Sequence, residues 1–141
     1  MILQSKGMKK PNKKLIFVHI LCYIAVAFVM LCSFLIVRHK NQVLETKNLP
    51  FYNTSIDSVA DGIYHGKTYT SFMHLQLEVT VKDHQLTNIR VIENKGSRGQ
   101  KAEAILQDMI IKNKIVVPAI EGDELGSLVF ISCVDTALHG E

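Results

Sequence analysis

The chain has 141 residues, with 16 Lys and Arg against 13 Asp and Glu, and 48% of its residues are hydrophobic. This length allows one modest domain with appendages. The charge is unevenly distributed, because residues 1–40 hold seven Lys/Arg and no acid, whereas residues 48–141 hold eight Lys/Arg and twelve Asp/Glu. Nucleic-acid binding needs a basic surface, so the acidic C-terminal part argues against a nucleic-acid partner.

The first predicted element is a transmembrane helix at residues 15–37, a run of 23 residues without a formal charge. At about 1.5 Å per residue it is long enough for a bilayer core of roughly 30 Å. A cleavable signal peptide has a shorter apolar run, followed by small residues at its cleavage site. This run is longer, and no such small-residue pattern ends it. A buried core helix is disfavoured because about 100 further residues cannot cover a helix that is apolar all round.

The charges beside this run predict its orientation. Five lysines precede it within residues 1–14, and only Arg38 and Lys40 follow closely. The positive-inside rule therefore predicts a basic cytoplasmic tail at 1–14 and an extracytoplasmic domain on a single-pass plasma-membrane protein. Residues 38–56 are polar and broken by Pro50, which predicts a stalk, and the folded domain is predicted at 57–141.

Within that domain the first clear pattern is a strand. Leu75, Leu77, Val79 and Val81 alternate with polar residues, which is typical of a strand buried on one face. The turn "KDHQ" and the run "LTNIRVIEN" then predict an antiparallel hairpin, with Thr87, Ile89 and Val91 on one face of the second strand.

Two helices follow the hairpin. Residues 100–114 carry apolar side chains at helical spacing, and residues 124–138 predict a last helix with one apolar stripe. The segment "IVVPAI" between them is predicted to be extended. The expected fold class is α+β, a small antiparallel sheet with helices packed on one face, preceded by a single transmembrane helix. The apolar residues on which the two helix predictions rest are Ala102, Ile105, Leu106, Met109 and Ile110 for the first helix, and Leu128, Ile131, Val134 and Leu138 for the second.

The sequence carries no known catalytic, nucleotide-binding or metal-binding motif. Two of its three cysteines, Cys22 and Cys32, lie in the apolar run and Cys133 stands alone in the domain, so no disulfide is expected within the domain. Glu121, Asp123 and Glu124 form the one close group of acids. A calcium site is one interpretation of this group, although its spacing matches no calcium loop. Capping of the last helix by the acids is the simpler interpretation.

Three further segments resemble the small FMN-binding domain family. They are "DGIYHGKTY", "VTVKDHQLTNIRVIEN" and "GSRGQKAEAILQDMIIKNK". The family includes flavin-carrying subunits of the Rnf and sodium-translocating NADH:quinone reductase complexes and small membrane-anchored bacterial proteins. The matching residues are Asp61, Gly62, Tyr64, Gly66, Val79, Val81, Asp83, Ile89, Arg98, Gly99, Ala102 and Glu103, with His84 in place of a turn glycine.

The family attaches FMN to a threonine through a phosphoester, in a segment that aligns with Val117–Ser127. Val117, Ala119, Gly122 and Ser127 agree with that segment, but Pro118, Glu121, Asp123 and Glu124 replace its aspartate, serine, alanine and acceptor threonine. A phosphoester needs a hydroxyl, so the resemblance with these replacements implies that covalent attachment is lost.

What remains by resemblance is a membrane-associated electron carrier with non-covalent FMN and a redox protein partner in the membrane, rather than a stand-alone enzyme. The alternative is a module without flavin that docks on a membrane partner. The expected cofactor-binding residues are Tyr64, Arg98, Lys101, Gly122, Glu124 and Ser127, and no metal ligand is expected.

Overall fold

The structure, a computed structural model, describes residues 12–140. The chain divides into two compact units, Met1–His39 and Lys40–Glu141. Most of the predicted basic tail at 1–14 lies outside the described residues. The second unit is an α+β domain, as the sequence predicts.

A single long helix, α1, runs over Lys13–Lys47. Its apolar part is long and apolar enough to cross a membrane, and the side chains from Leu15 to Val37 are mostly exposed rather than packed on other elements. The helix extends ten residues past the predicted end at Val37. Residues 38–47 contain no glycine or proline and are rich in helix formers, and the helix ends three residues before Pro50.

The prediction of a stalk at 38–56 is wrong, because most of this segment belongs to the second unit. Gln42 and Thr46 at the end of α1 are buried. The Glu45 carboxylate accepts hydrogen bonds from the Ser71 amide and hydroxyl at 2.8 and 2.5 Å. After α1, residues 48–55, which we call the strap, lie against the last helix of the chain. The strap leads into a 3-10 turn at Ile56–Ser58.

Three strands form one antiparallel sheet in the order β1 (Gly62–Tyr69), β2 (Met73–Lys82) and β3 (Gln85–Gly96). The predicted hairpin is confirmed, with Lys82 paired to Gln85 across a two-residue turn. Asp83 and His84 form this turn with φ angles of 52° and 56°, as a type I′ hairpin turn requires. The predicted inner face of β2 is also confirmed, since Leu75, Leu77, Val79 and Val81 are all buried.

The prediction that Thr87, Ile89 and Val91 share one face of β3 is wrong at Thr87. Leu86 is buried and Thr87 is exposed, because the pairing register shifts between Thr80 and Val81. Such a bulge inserts an extra residue and reverses the alternation beyond it. Ile89 still points inward, as expected.

Two helices cover one face of the sheet. Residues Ala102–Ala104 form a 3-10 turn that continues into α2 (Ile105–Lys112), and α3 spans Glu124–His139. The segment between α2 and α3 forms no strand, yet Ile115 and Val117 are buried in the core. The prediction of one apolar stripe on α3 is too narrow, because this helix is buried over most of its circumference. Its buried residues are Gly126, Ser127, Val129, Phe130, Ile131, Ser132, Cys133, Val134, Asp135, Ala137 and Leu138.

Candidate functional site

A polar cavity lies between the loop that follows β3 and the turn that precedes α3. It has a volume of about 240 Å³ and is lined by residues 97–101 together with Gly122 and Asp123. We call it the loop pocket. Gly99 and Gly122 shape its walls with φ angles of +96° and +84°, a backbone region that favours glycine. Three of the six predicted cofactor-binding residues, Arg98, Lys101 and Gly122, therefore line one cavity.

Asp123 fills the inner wall of the loop pocket. Its Oδ2 accepts hydrogen bonds from the Gly99 amide at 2.8 Å and the Ala102 amide at 3.3 Å, and the residue is only 5% exposed. The prediction that Asp123 caps α3 is wrong for its side chain, which makes no hydrogen bond to the first turn of that helix. The carboxylate instead crosses to the loop that begins the 3-10 turn, where free amides attract an anion.

Glu124, which does not itself line the loop pocket, provides a second internal anion next to Gly122. Its Oε1 accepts a hydrogen bond from the Gly122 amide at 2.9 Å. This bond, the amide of Glu124 itself and, more weakly, the charge of Arg98 hold the pKa of the Glu124 carboxyl below its usual value. The side chain is exposed, so its carboxylate can leave the Gly122 amide without disturbing the core.

Arg98 joins the loop pocket to the end of α1. Its Nε donates to the Oε1 of Gln42 at 3.2 Å, and Gln42 itself is 7% exposed. Lys101 is exposed and makes no ion pair among residues 12–140. Sequence patterns gave no signal for Gln42, because a glutamine in a polar segment after an apolar run is ordinary, and only the fold reveals its contact with Arg98.

Ser127 and Tyr64 do not line the loop pocket. The Ser127 hydroxyl is fully buried behind it, where it donates to the Asp123 carbonyl and accepts from the Ile120 amide, both at 2.9 Å. Its role is to shape the turn before α3. Tyr64 lines a different cavity with Thr136 and Gly140, at the other end of α3, and its hydroxyl donates to the Ala60 carbonyl at 2.7 Å. Twelve residues of helix separate Glu124 from Thr136, about 18 Å.

The acid group near the loop pocket is dispersed by these contacts. Asp123 points inward, Glu124 bonds to the Gly122 amide, and no group of three His, Cys, Asp or Glu side chains suited to a metal ion occurs in the part of the chain that the structure describes. Calcium binding by Glu121, Asp123 and Glu124 has no support in this geometry.

A second buried carboxylate, Asp135, fixes the strap to α3. It is 2% exposed and accepts hydrogen bonds from the amides of Tyr52, Asn53 and Thr54 at 2.6, 3.0 and 2.9 Å. The Ser132 hydroxyl also donates to the Pro50 carbonyl at 2.8 Å, and the Tyr52 ring stacks on His139 at 3.9 Å between centroids. An acid within an apolar helix was the available sequence signal for this contact.

No model of a known protein family matches the chain, and no curated protein matches it either. The FMN-binding resemblance therefore rests on the motif residues quoted above.

Proposed function

We propose that the chain is a single-pass membrane protein of a bacterial plasma membrane whose domain, outside the cytoplasm, binds FMN non-covalently at the loop pocket and exchanges electrons with a redox protein in the membrane. The lysines before α1 support this orientation. Bound FMN would supply reversible electron transfer, and the residues of the chain would bind and orient it.

The observation that carries the proposal is the exchangeable anion at the Gly122 amide. An exposed carboxylate, that of Glu124, occupies the Gly122 amide just before α3. Gly122 lines the loop pocket with Arg98 and Lys101, and the charge of Arg98 acts on Glu124. A phosphate can replace this carboxylate because amides at a helix N-terminus and nearby cations both favour anions. Since the cavity is smaller than the 300–1,000 Å³ or so that encloses a whole organic ligand, we expect it to hold only the phosphate end of FMN.

The same position argues against the covalent form. A phosphoester bond needs a hydroxyl on the protein, and Glu124 has none. Ser127, the nearest hydroxyl in the aligned segment, is buried and engaged in two hydrogen bonds. Replacing Pro118, Glu121 and Glu124 by Asp, Ser and Thr in the presence of a flavin transferase should restore attachment, visible as an increase in intact mass.

The alternative function, a docking module without flavin, is favoured by a different observation. The Asp123 carboxylate already accepts hydrogen bonds from the Gly99 and Ala102 amides, so these two backbone donors on the inner wall of the loop pocket are satisfied from within. A domain that keeps its fold without a ligand in this way can serve as a binding surface alone.

Equilibrium dialysis of FMN against the full chain in lipid nanodiscs separates the two. We expect saturable binding with unmodified protein mass, a loss of about tenfold in affinity for Arg98→Ala, and tighter binding for Glu124→Gln because it removes the competing charge. Arg90→Ala is the matched control, since Arg90 pairs with Glu78 on the sheet, outside the loop pocket.

Each result has a clear meaning. No FMN binding to the folded wild-type chain at millimolar FMN would reject the electron carrier and leave the docking module. Equal losses for Arg98→Ala and Arg90→Ala would place FMN outside the loop pocket. A covalent adduct on the wild-type chain would refute our interpretation of Glu124.

A further inference from the structure

A second cavity, of about 390 Å³, lies between β1 and the last turns of α3. Its walls are Ile63, Tyr64, His65 and Lys67 on one side and Thr136, Ala137 and Gly140 on the other. The Thr136 hydroxyl oxygen is buried and has no hydrogen-bond partner within residues 12–140, which is uncommon in folded proteins and calls for a ligand or water. We call this cavity the edge groove.

The position of Thr136 on α3 follows from helix geometry. Asp135, one residue before it, holds the strap, and Ala137, one residue after it, packs against Gly66 of β1. Successive helix residues differ by about 100° around the axis. The edge groove therefore lies on the flank of α3 between the strap and β1, next to the outer edge of the sheet.

β1 is an edge strand. It pairs with β2 over all eight of its residues, and no strand within residues 12–140 pairs with its other side. The backbone amides and carbonyls on that side are thus available to pair with another extended chain, which on any edge strand can lead to aggregation or serve binding. The edge groove runs along this side.

The outward-facing side chains of β1 are apolar at both ends and polar in the middle, where Lys67 carries a positive charge. Ile63 and Tyr69 are 61% and 58% exposed, and His65 and Lys67 lie between them. Lys67 makes no ion pair in the described part of the chain, and His65 is 4.0 Å from Glu78. Side chains directly opposite each other on neighbouring strands interact, and opposite charges or apolar pairs stabilise the pairing.

We infer that the edge groove binds an extended acidic segment of another protein, which adds to β1 as a fourth strand. Backbone pairing along the free edge supplies the affinity, as in other cases of strand addition. On the open face, acidic side chains of the segment lie opposite His65 and Lys67, and apolar ones lie opposite Ile63 and Tyr69. On the other face, small hydroxyl side chains bond the Thr136 hydroxyl once it turns towards the groove. This site is independent of FMN binding.

The probe is a seven-residue peptide, acetyl-Val-Thr-Glu-Thr-Glu-Thr-Val-amide, labelled with a fluorophore and titrated against the full chain in nanodiscs. We expect saturable binding by fluorescence anisotropy and a loss of about tenfold or more for Lys67→Glu. A second peptide, with Lys in place of both Glu residues, should bind the wild-type chain weakly and should bind the Lys67→Glu variant more tightly. Lys82→Glu is the matched control, because Lys82 lies on the same face of the sheet but in β2, and should leave both affinities unchanged.

Backbone pairing is tested with N-methylated peptides. Only alternate amides of an added strand face its neighbour, so methylating one alternate set should abolish binding, whereas methylating the other set should not. Thr136→Val should weaken binding of the threonine peptide and not that of a peptide with valine at the same positions.

Several results would overturn the inference. One is failure of the acidic peptide to saturate at millimolar protein. Another is equal loss with both N-methylated peptides or equal effects of Lys67→Glu and Lys82→Glu, which would indicate non-specific charge attraction. A concentration-dependent dimer with β1 amides protected from hydrogen exchange would place a second copy of the chain in the edge groove instead.

Discussion

Replacing Asp135 should release the strap and destabilise the domain. The carboxylate accepts three amide hydrogen bonds from residues 52–54, each of the charged type that contributes about 1.5–3 kcal/mol. Tyr52 and Asn53 are exposed, so water can replace part of what is lost. We therefore expect Asp135→Ala to lower the free energy of unfolding by about 3–5 kcal/mol.

Asp135→Asn tests the role of the charge at constant shape. The amide keeps one acceptor oxygen but turns an NH₂ group towards donors that need an acceptor, and we expect a cost of about 2–4 kcal/mol. Since small domains are stable by about 5–15 kcal/mol, the variant should remain folded. Asp57→Asn is the control: it changes an exposed carboxylate nearby that makes no hydrogen bond among the described residues, and should cost about 0.5 kcal/mol or less.

Two measurements report on this prediction. Urea unfolding of the full chain in micelles, followed by near-ultraviolet circular dichroism of its four tyrosines, gives the free energy. Hydrogen exchange by mass spectrometry gives local protection, which should fall over residues 52–54 and fall much less in β2. If Asp135→Asn is as stable as the Asp57→Asn control and the strap amides stay protected, the three hydrogen bonds do not hold the strap.

Three further predictions follow from other contacts. Gly66→Ala should destabilise the domain by about 1–3 kcal/mol in urea unfolding, because a Cβ there would lie 2.5 Å from the Cys133 carbonyl oxygen. In the control Gly62→Ala the Cβ would meet only the Tyr64 side chain, at 3.5 Å or more, and the cost should be less than half as large. Equal costs would refute the packing argument. Burial raises the pKa of the Cys133 thiol to about 11 against a usual 9.0, so the folded domain is stabilised while this thiol is neutral. This stabilisation is complete below pH 9 and falls by roughly 2–3 kcal/mol as the pH rises to about 11. Cys133→Ala should lack this pH dependence, so its unfolding curves at about pH 8.5 and about pH 10.5 should differ less than those of the wild type. Gln42→Ala should free the Arg98 side chain and change FMN affinity while the peptide affinity of the edge groove stays constant; unchanged FMN binding would show that Gln42 does not position Arg98.

The sequence predicts the local parts of this fold well, because they depend on short-range periodicity. The alternation from Leu75 to Val81 and the turn at Asp83 and His84 are properties of adjacent residues, and both are confirmed. The bulge that exposes Thr87 is a property of two strands together, and no single-strand pattern contains it.

The candidate site could be predicted only in part, for the same reason. Arg98, Lys101 and Gly122 line one cavity, but Tyr64 lies in another. The side chain of Asp123 was assigned to its own helix by a local rule, whereas its partners lie 21 and 24 residues away. The stalk prediction was wrong for the same reason, since polar composition indicates exposure to solvent and does not reveal a docking partner such as Asp135.

The strap has a consequence for the order in which the domain folds. Its hydrogen bonds to Asp135 join residues 81 to 83 positions apart, whereas the β2–β3 hairpin closes over a two-residue turn. Loop closure over a long stretch costs more chain entropy, so local contacts form first and long-range ones late. During synthesis the strap is made before the sheet, but its anchor in α3 is among the last residues to be added. The start of the domain therefore stays undocked until its end has been made, and a chain that stops after α2 should leave the strap open to proteases.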